Sequence, residues 1–189
     1  FSCRTDKGTH KAVNRLKEFC NKSSRNNSRN IFALKCDVGK FFDSVDHRIL
    51  IKIVQKKIYN EDLIWLIENI IKSYEKDQIK GIPLGNGTSQ LFANIYLNEL
   101  DQFVKHELKT KYYIRYCDDF VILSEDKGGL LLTAEKINQF LKHNLNLSIH
   151  SDKIIIRKYR QGIDFLGYVI LPYHRVLRTR TKRRIFRKI

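Results

Sequence analysis

Methionine is absent from this 189-residue sequence, proline occurs twice and tryptophan once. No run approaches the roughly 18 consecutive apolar residues that a membrane-spanning helix needs, and no signal peptide opens the chain. The four cysteines (Cys3, Cys20, Cys36, Cys117) show no C-x-x-C spacing. That speaks against a disulfide frame or a zinc site and leads us to expect reduced thiols in a cytoplasmic protein. A sequence without Met that opens on Phe1 is expected to be a piece of something longer. Disorder is not expected, because 42% of residues are apolar and 30% charged. The length suits one domain, or one domain with a fragment of a second.

Acidic residues are scarce at both ends. Residues 1–30 hold eight basic and two acidic side chains, residues 153–189 hold twelve basic against Asp164 alone, and the stretch between is near neutral. Positive rims around a neutral body most often serve a polyanion, and nucleic acid is the first candidate. For the front segment, a plain solvated surface explains the charge about as well. Between Arg175 and Lys188 the cations are too dense for that to be the first choice.

Periodicity predicts a helix capped by Thr9 and running to about Cys20, with Val13, Leu16 and Phe19 on one face. Residues 21–30 read as a polar loop and Ile31 to Asp37 as a buried strand. Residues 46–58 and 61–73 carry helical spacing, 81–87 break it, and Thr88 or Ser89 then caps a long helix to about Leu108. Tyr112 to Tyr116, the Cys117-Asp118-Asp119 turn and Phe120 to Leu123 read as a hairpin. Residues 130–146 are helical, and Lys153 to Lys158 and Ile163 to Leu171 are strands joined at Gln161-Gly162. Without the helix pair at 46–73, the order is the split βαββαβ of a ferredoxin-like α+β domain, an antiparallel sheet with helices on one face. In that topology the first strand lies antiparallel to the third, so Asp37 meets the turn holding Asp118 and Asp119.

Three clustered carboxylates raise one another's pKa unless cations neutralise them. Oxygen-rich groups of this kind suit Mg²⁺ or Mn²⁺, and two such ions about 3.5–4 Å apart can activate a hydroxyl and stabilise a leaving phosphate oxygen. The plain alternatives are a hairpin turn, where Asp is common, and an Asp that caps a strand end. Convergence of all three favours the metal reading.

Four segments carry a family likeness: Lys35-Cys-Asp-Val-Gly-Lys-Phe-Phe-Asp43-Ser-Val-Asp-His47, Gly81-Ile-Pro-Leu-Gly85 with Ser89-Gln90, Tyr116-Cys-Asp-Asp119, and Phe165-Leu-Gly-Tyr168. In this order they resemble reverse transcriptases of the bacterial, retron-type and group II intron-like kind, from about Phe1 to about Leu171. The resemblance implies an RNA-directed DNA polymerase with partial fingers at 1–30, a palm at 31–171 carrying a helical insertion near 46–80, and the start of a thumb at 172–189. It implies that Asp37, Asp118, Asp119 and the Val38 carbonyl hold two Mg²⁺ ions, with Mn²⁺ as a substitute, and that Lys153 stands near the departing pyrophosphate. Lys40 and Phe41 would offer backbone N–H groups to the triphosphate. Phe42 would exclude the ribose 2′-hydroxyl, and Phe165, Leu166, Gly167 and Tyr168 would hold the primer. The implied partners are an RNA template, a DNA primer and deoxynucleoside triphosphates, with a basic accessory protein besides. The bland readings are a core phenylalanine at 42 and a strand-edge lysine at 153.

The glycine-rich stretch lacks the G-K-[ST] ending of a P-loop, which excludes that ATPase motif. In the family it lines the template and incoming base, so Leu84, Gly85, Ser89 and Gln90 join the candidate nucleotide site. Intron and retron enzymes usually carry Pro-Gln-Gly and Ser-Pro here. Pro83-Leu84-Gly85 and Ser89-Gln90 instead resemble the enzymes of diversity-generating retroelements, which implies error-prone synthesis. The alternatives are a group II intron or defence-associated enzyme, a non-catalytic RNA-binding module on the same topology, and a metal-dependent nuclease.

Overall fold

The computed structural model describes residues 1–73, 79–83, 85 and 87–187. Seven α-helices and seven strands are assigned among them. Helix α1 (Thr9–Ser23) starts after Gly8, whose φ of +112° suits glycine. Thr9 is therefore the first helical residue and not the cap; its hydroxyl donates to the Tyr116 hydroxyl at 3.3 Å. The helix also consumes three residues of the expected polar loop. Strand β1 (Phe32–Asp37) follows, then a single turn, α2 (Phe41–Ser44), that the sequence reading lacks.

Helix α3 (His47–Gln55) is capped by the Asp46 carboxylate, which accepts from the N–H groups of Arg48 and Ile49 at 3.0 and 3.2 Å. Helix α4 (Glu61–Lys72) is capped by Asn60, with Glu61 and Asp62 in its first turn and Lys72 in its last, as the helix dipole favours. Helix α5 (Gly87–Gln102) continues as a π-helical turn through Glu107. Thr88 and Ser89 lie inside it and do not cap it; their buried hydroxyls have no partner among the described residues.

Strands β2 (Tyr113–Tyr116) and β3 (Asp119–Ser124) form the expected hairpin, and α6 (Lys127–Leu145) follows. The next strand, β4, is shorter than expected, Ile155–Lys158; Lys153 belongs instead to a 3-10 turn, Ser151–Lys153. The stretch Ile163 to Leu171 is a hairpin, not one strand: β5 (Ile163–Phe165) and β6 (Tyr168–Ile170), joined by β7 (Arg175–Leu177) into a second sheet. A basic helix, α7 (Thr179–Phe186), ends the described chain and buries no residue.

The main sheet has the order β2-β3-β1-β4, all neighbours antiparallel, which is the split βαββαβ arrangement. Its crossover helices α5 and α6 lie on one face, where Leu34, Cys36, Phe120 and Ile122 meet Tyr96, Leu97, Ile137 and Leu141. The opposite face carries Ala33, Val121 and Leu123. It is covered by α1 through Val13 and Leu16 and by the second sheet through Phe165 and Ile170. Among the described residues no helix is long and apolar enough to cross a membrane.

Candidate active site

Asp37 ends β1, Asp119 opens β3, and the register sets them directly opposite each other. Such partners share a face, with Cβ atoms about 4.5–5.5 Å apart, and like charges so placed oppose folding. Asp118 adds a third carboxylate one residue earlier. Strand alternation puts Lys35 on the same face as Asp37, and Lys35 Nζ lies 3.3 Å from Asp119 Oδ2. Lys153 Nζ donates to Asp37 Oδ2.

Main-chain bonds tie the three segments together. The Val38 N–H donates to the Asp118 carbonyl at 3.2 Å, the His150 N–H to that of Asp37 at 3.1 Å, and the Gly39 N–H to that of Ser148 at 3.0 Å. Asp37, Val38, Asp118, Asp119 and Lys153 are thus brought to one place. Lys35 heads the first sequence motif, yet the sequence reading gives it no role; its period-2 spacing from Asp37 is the signal that marks it.

Burial pushes the Asp118 carboxyl above its usual range, and the nearby Asp37 charge adds to this. Burial pushes Asp119 up to about 6 against the opposing pull of Lys35. The hydrogen bond to Asp37 raises Lys153. Burial pushes the thiols of Cys36 and Cys117 to about 12, so neither supplies a thiolate near neutral pH.

The donor set fits a hard divalent cation on three observations. It is made of oxygen. One oxygen, Asp119 Oδ1, is buried without a hydrogen-bond partner among the described residues. Two ammonium groups, those of Lys35 and Lys153, already stand against the carboxylates as positive counter-charges. Among the described residues no group of three His, Cys, Asp or Glu side chains is gathered at ion-holding geometry.

The turn that presents Asp118 is strained. Cys117 has φ +54°, a left-handed conformation that costs an L residue about 1–2 kcal/mol. Arg115, on β2 and nearly buried, donates from Nη1 to the Cys117 carbonyl at 2.9 Å. Its Nε and Nη2 grip the two oxygens of Asp101 on α5 at 2.8 and 2.6 Å, and the Tyr113 hydroxyl donates to Asp101 Oδ1 at 2.6 Å. The sequence reading misses Arg115. The signal is a charged residue inside an otherwise apolar strand.

Lys40 (φ +44°) leads into α2. Phe41 is buried, its ring 5.3 Å from that of Phe42 and 6.3 Å from that of Tyr96, whereas Phe42 is half-buried at the core margin. The Ile82 N–H donates to the Phe42 carbonyl at 2.8 Å and the Gly81 N–H to that of Val45 at 2.9 Å. The His47 imidazole bonds the Gly81 carbonyl at 2.7 Å. The glycine-rich stretch therefore runs beside Phe42. Leu84 lies outside the described residues. Gly85 has φ +89° with open space around its Cα, Ser89 is buried, and exposed Gln90 accepts from the Cys3 thiol at 2.5 Å. Among the described residues, none of these three hydrogen-bonds to the carboxylates.

Leu166 and Gly167, at φ +51° and +85°, turn β5 into β6 as a two-residue hairpin of type I′ requires. Phe165 is core. Leu166 and Tyr168 pack with Tyr116 on the sheet face that carries Ala33 and Val121, in phase with Asp37 and Asp119. The hairpin thus shares the carboxylates' face.

Residues 1–170 match the family model described as reverse transcriptase (RNA-dependent DNA polymerase). Protein YkfC of Escherichia coli (strain K12) is 25% identical over 96% of this chain, and the group II intron-encoded protein LtrA of Lactococcus lactis subsp. cremoris is 26% identical over 71%. The matches span 56% and 34% of those two proteins. Among solved structures, an apo telomerase from Candida Tropicalis superimposes with a TM-score of 0.67 at 17% identity. It covers 90% of this chain and 40% of its own. That likeness is one of fold.

Proposed function

The chain belongs to the reverse transcriptase (RNA-dependent DNA polymerase) family, and from that premise we propose that it is the catalytic core of an RNA-directed DNA polymerase. The observation that carries the proposal is the cross-strand pair of Asp37 and Asp119 with Asp118 beside it. A like-charge pair that opposes folding is a mark of a functional site rather than of a structural one. In this reading Asp37, Asp118, Asp119 and the Val38 carbonyl hold divalent ions. The bound ions supply Lewis-acid charge for a hydroxyl attacking a phosphate and for the oxygen that leaves. In the same reading Lys153 neutralises a departing pyrophosphate, Phe42 bounds the sugar, and the hairpin at Phe165–Tyr168 seats a primer end.

We assign residues 1–30 to partial fingers, 31–171 to the palm with a helical insertion near 46–80, and 172–189 to the thumb start. An RNA-binding module would use exposed aromatics on the strands and has no need for the carboxylates. A nuclease would leave Phe42 and the hairpin without roles. The direct test is primer extension: the full-length protein with an RNA template, a DNA primer, deoxynucleoside triphosphates and Mg²⁺ should lengthen the primer. Folded protein that extends no primer on RNA overturns the proposal.

Within that class, Pro83-Leu84-Gly85 and Ser89-Gln90 support an error-prone enzyme of a diversity-generating retroelement. The likeness to LtrA favours an intron-type enzyme as the second reading. Leu84→Gln separates them. A polar contact can add about 1–3 kcal/mol of discrimination, or roughly ten- to hundredfold. The substitution should therefore lower misincorporation, most visibly opposite template adenine, in an error spectrum read on one RNA. An active variant with an unchanged spectrum removes the error-prone reading.

The basic ends give a separate expectation. Arg180, Arg183, Arg184 and Arg187 are exposed on or beside α7. Binding of an RNA–DNA hybrid should weaken with salt, log affinity falling against log salt by about 0.7–0.9 per phosphate contact. A filter-binding series from 50 to about 300 mM salt reads that slope, and a flat line would mean the basic ends do not meet phosphates.

A further inference from the structure

The carboxylates depend on a turn that the chain does not favour by itself. Cys117 stands at φ +54° where a two-residue hairpin loop usually has Gly, Asn or Asp. Something must hold it, and a side chain from β2 reaches its main chain: Arg115, whose Nη1 donates to the Cys117 carbonyl at 2.9 Å. Its other two nitrogens, Nε and Nη2, each donate to one oxygen of Asp101. Asp101 sits near the end of α5, on the face packed against the sheet, and its Oδ1 also accepts from Tyr113. The bidentate fork leaves the Arg115 side chain little freedom. Its third nitrogen, Nη1, is thereby aimed, and α5 becomes the fixed point from which the turn is hung.

We infer that Arg115 is a positioning residue for the reaction: braced by Asp101, it holds the Cys117 carbonyl and so sets where Asp118 and Asp119 stand. The inference rests on the polymerase reading above for its consequence, but its structural part does not. A further tie to the same turn is the Val38 N–H, which donates to the Asp118 carbonyl at 3.2 Å. That bond links the turn to β1 and reports on it locally.

Lysine keeps the charge but has no fork, so Arg115→Lys should loosen the turn without leaving Asp101 unpaired. Asp101→Asn, which keeps shape and the Tyr113 acceptor, should do so by releasing the brace. In the full-length protein, each variant should lower kcat for primer extension on RNA ten- to hundredfold, with KM for the nucleotide changed less than threefold. Amide exchange at Val38 should speed at least tenfold, while amides paired between β1 and β4 keep their rates.

Faster Val38 exchange in variants of a wild type that extends no primer would sink the polymerase reading and leave the brace standing. Unchanged Val38 exchange would overturn the brace. So would a general rise in exchange with a lower melting temperature and normal activity per folded molecule, which is the signature of a merely structural pair. Faster Val38 exchange with unaltered kcat would overturn the positioning role.

Discussion

Asp37→Asn or Asp118→Asn should abolish nucleotide addition while leaving the fold and hybrid binding in place. Ion-borne charge at this site is worth several kcal/mol in the transition state, so losing it should lower the rate by at least about 10³-fold. Stability is expected to move the other way at Asp37. Its carboxylate stands directly opposite that of Asp119, and removing one of two like charges on a cross-strand pair relieves about 0.2–1 kcal/mol. Its bond to Lys153 offsets little, because that lysine is more than half exposed. The inactive variant should therefore melt at the wild-type temperature or a degree or two above it. Primer extension, hybrid binding and a thermal melt on the same preparation decide the matter. Retained polymerisation in either variant, or a melt lowered by many degrees, would remove Asp37 and Asp118 from the chemistry.

Phe41 and Phe42 adjoin in sequence and should fail in different ways. Phe41 is 2% exposed and packed between Phe42 and Tyr96. Phe41→Ala should cost about 3–5 kcal/mol of stability, a drop of roughly 10 °C for a chain of this size. Phe42 is half-buried on the side where Ile82 crosses its carbonyl. Phe42→Ala should raise ribonucleotide incorporation, by roughly ten- to hundredfold if the ring bars one added hydroxyl, with the melt nearly unchanged. Comparing incorporation of ribo- and deoxyribonucleotides with melting of both variants checks the pair. Exchanged phenotypes would show that the ring facing the sugar is Phe41.

What could be read in the sequence follows from what each signal reports. The order of strands and helices is set by hydrophobic period, and the central pairing of Asp37 with the Asp118-Asp119 turn is a consequence of topology, which the order determines. Both hold in the structure. Local boundaries were harder to read because neighbours decide them. Gly8 displaces Thr9 as the helix cap. Lys153 leaves the strand because His150 is bonded to Asp37 and draws the chain into a turn. The hidden parts of the site, Arg115 with Asp101 and Lys35 with Asp119, are pairings between distant residues. Composition shows that the charges exist; only the fold shows which of them meet.

The position of β1 within the sheet has a consequence for how the molecule comes into being. Its two edges are filled by strands that lie about 85 and 120 residues further along the chain, β3 and β4. A nascent chain that has released β1 but not yet β4 presents an apolar strand with an open hydrogen-bonding edge, which is a template for pairing with other chains. Closing contacts of that sequence separation is slow, so Asp37 meets Asp118 and Asp119 only after β3 has left the ribosome. Synthesis that stalls before Ile155 would leave the main sheet one strand short. It would yield a sticky intermediate, and the residence time of that species sets how heavily the cell's chaperones are engaged.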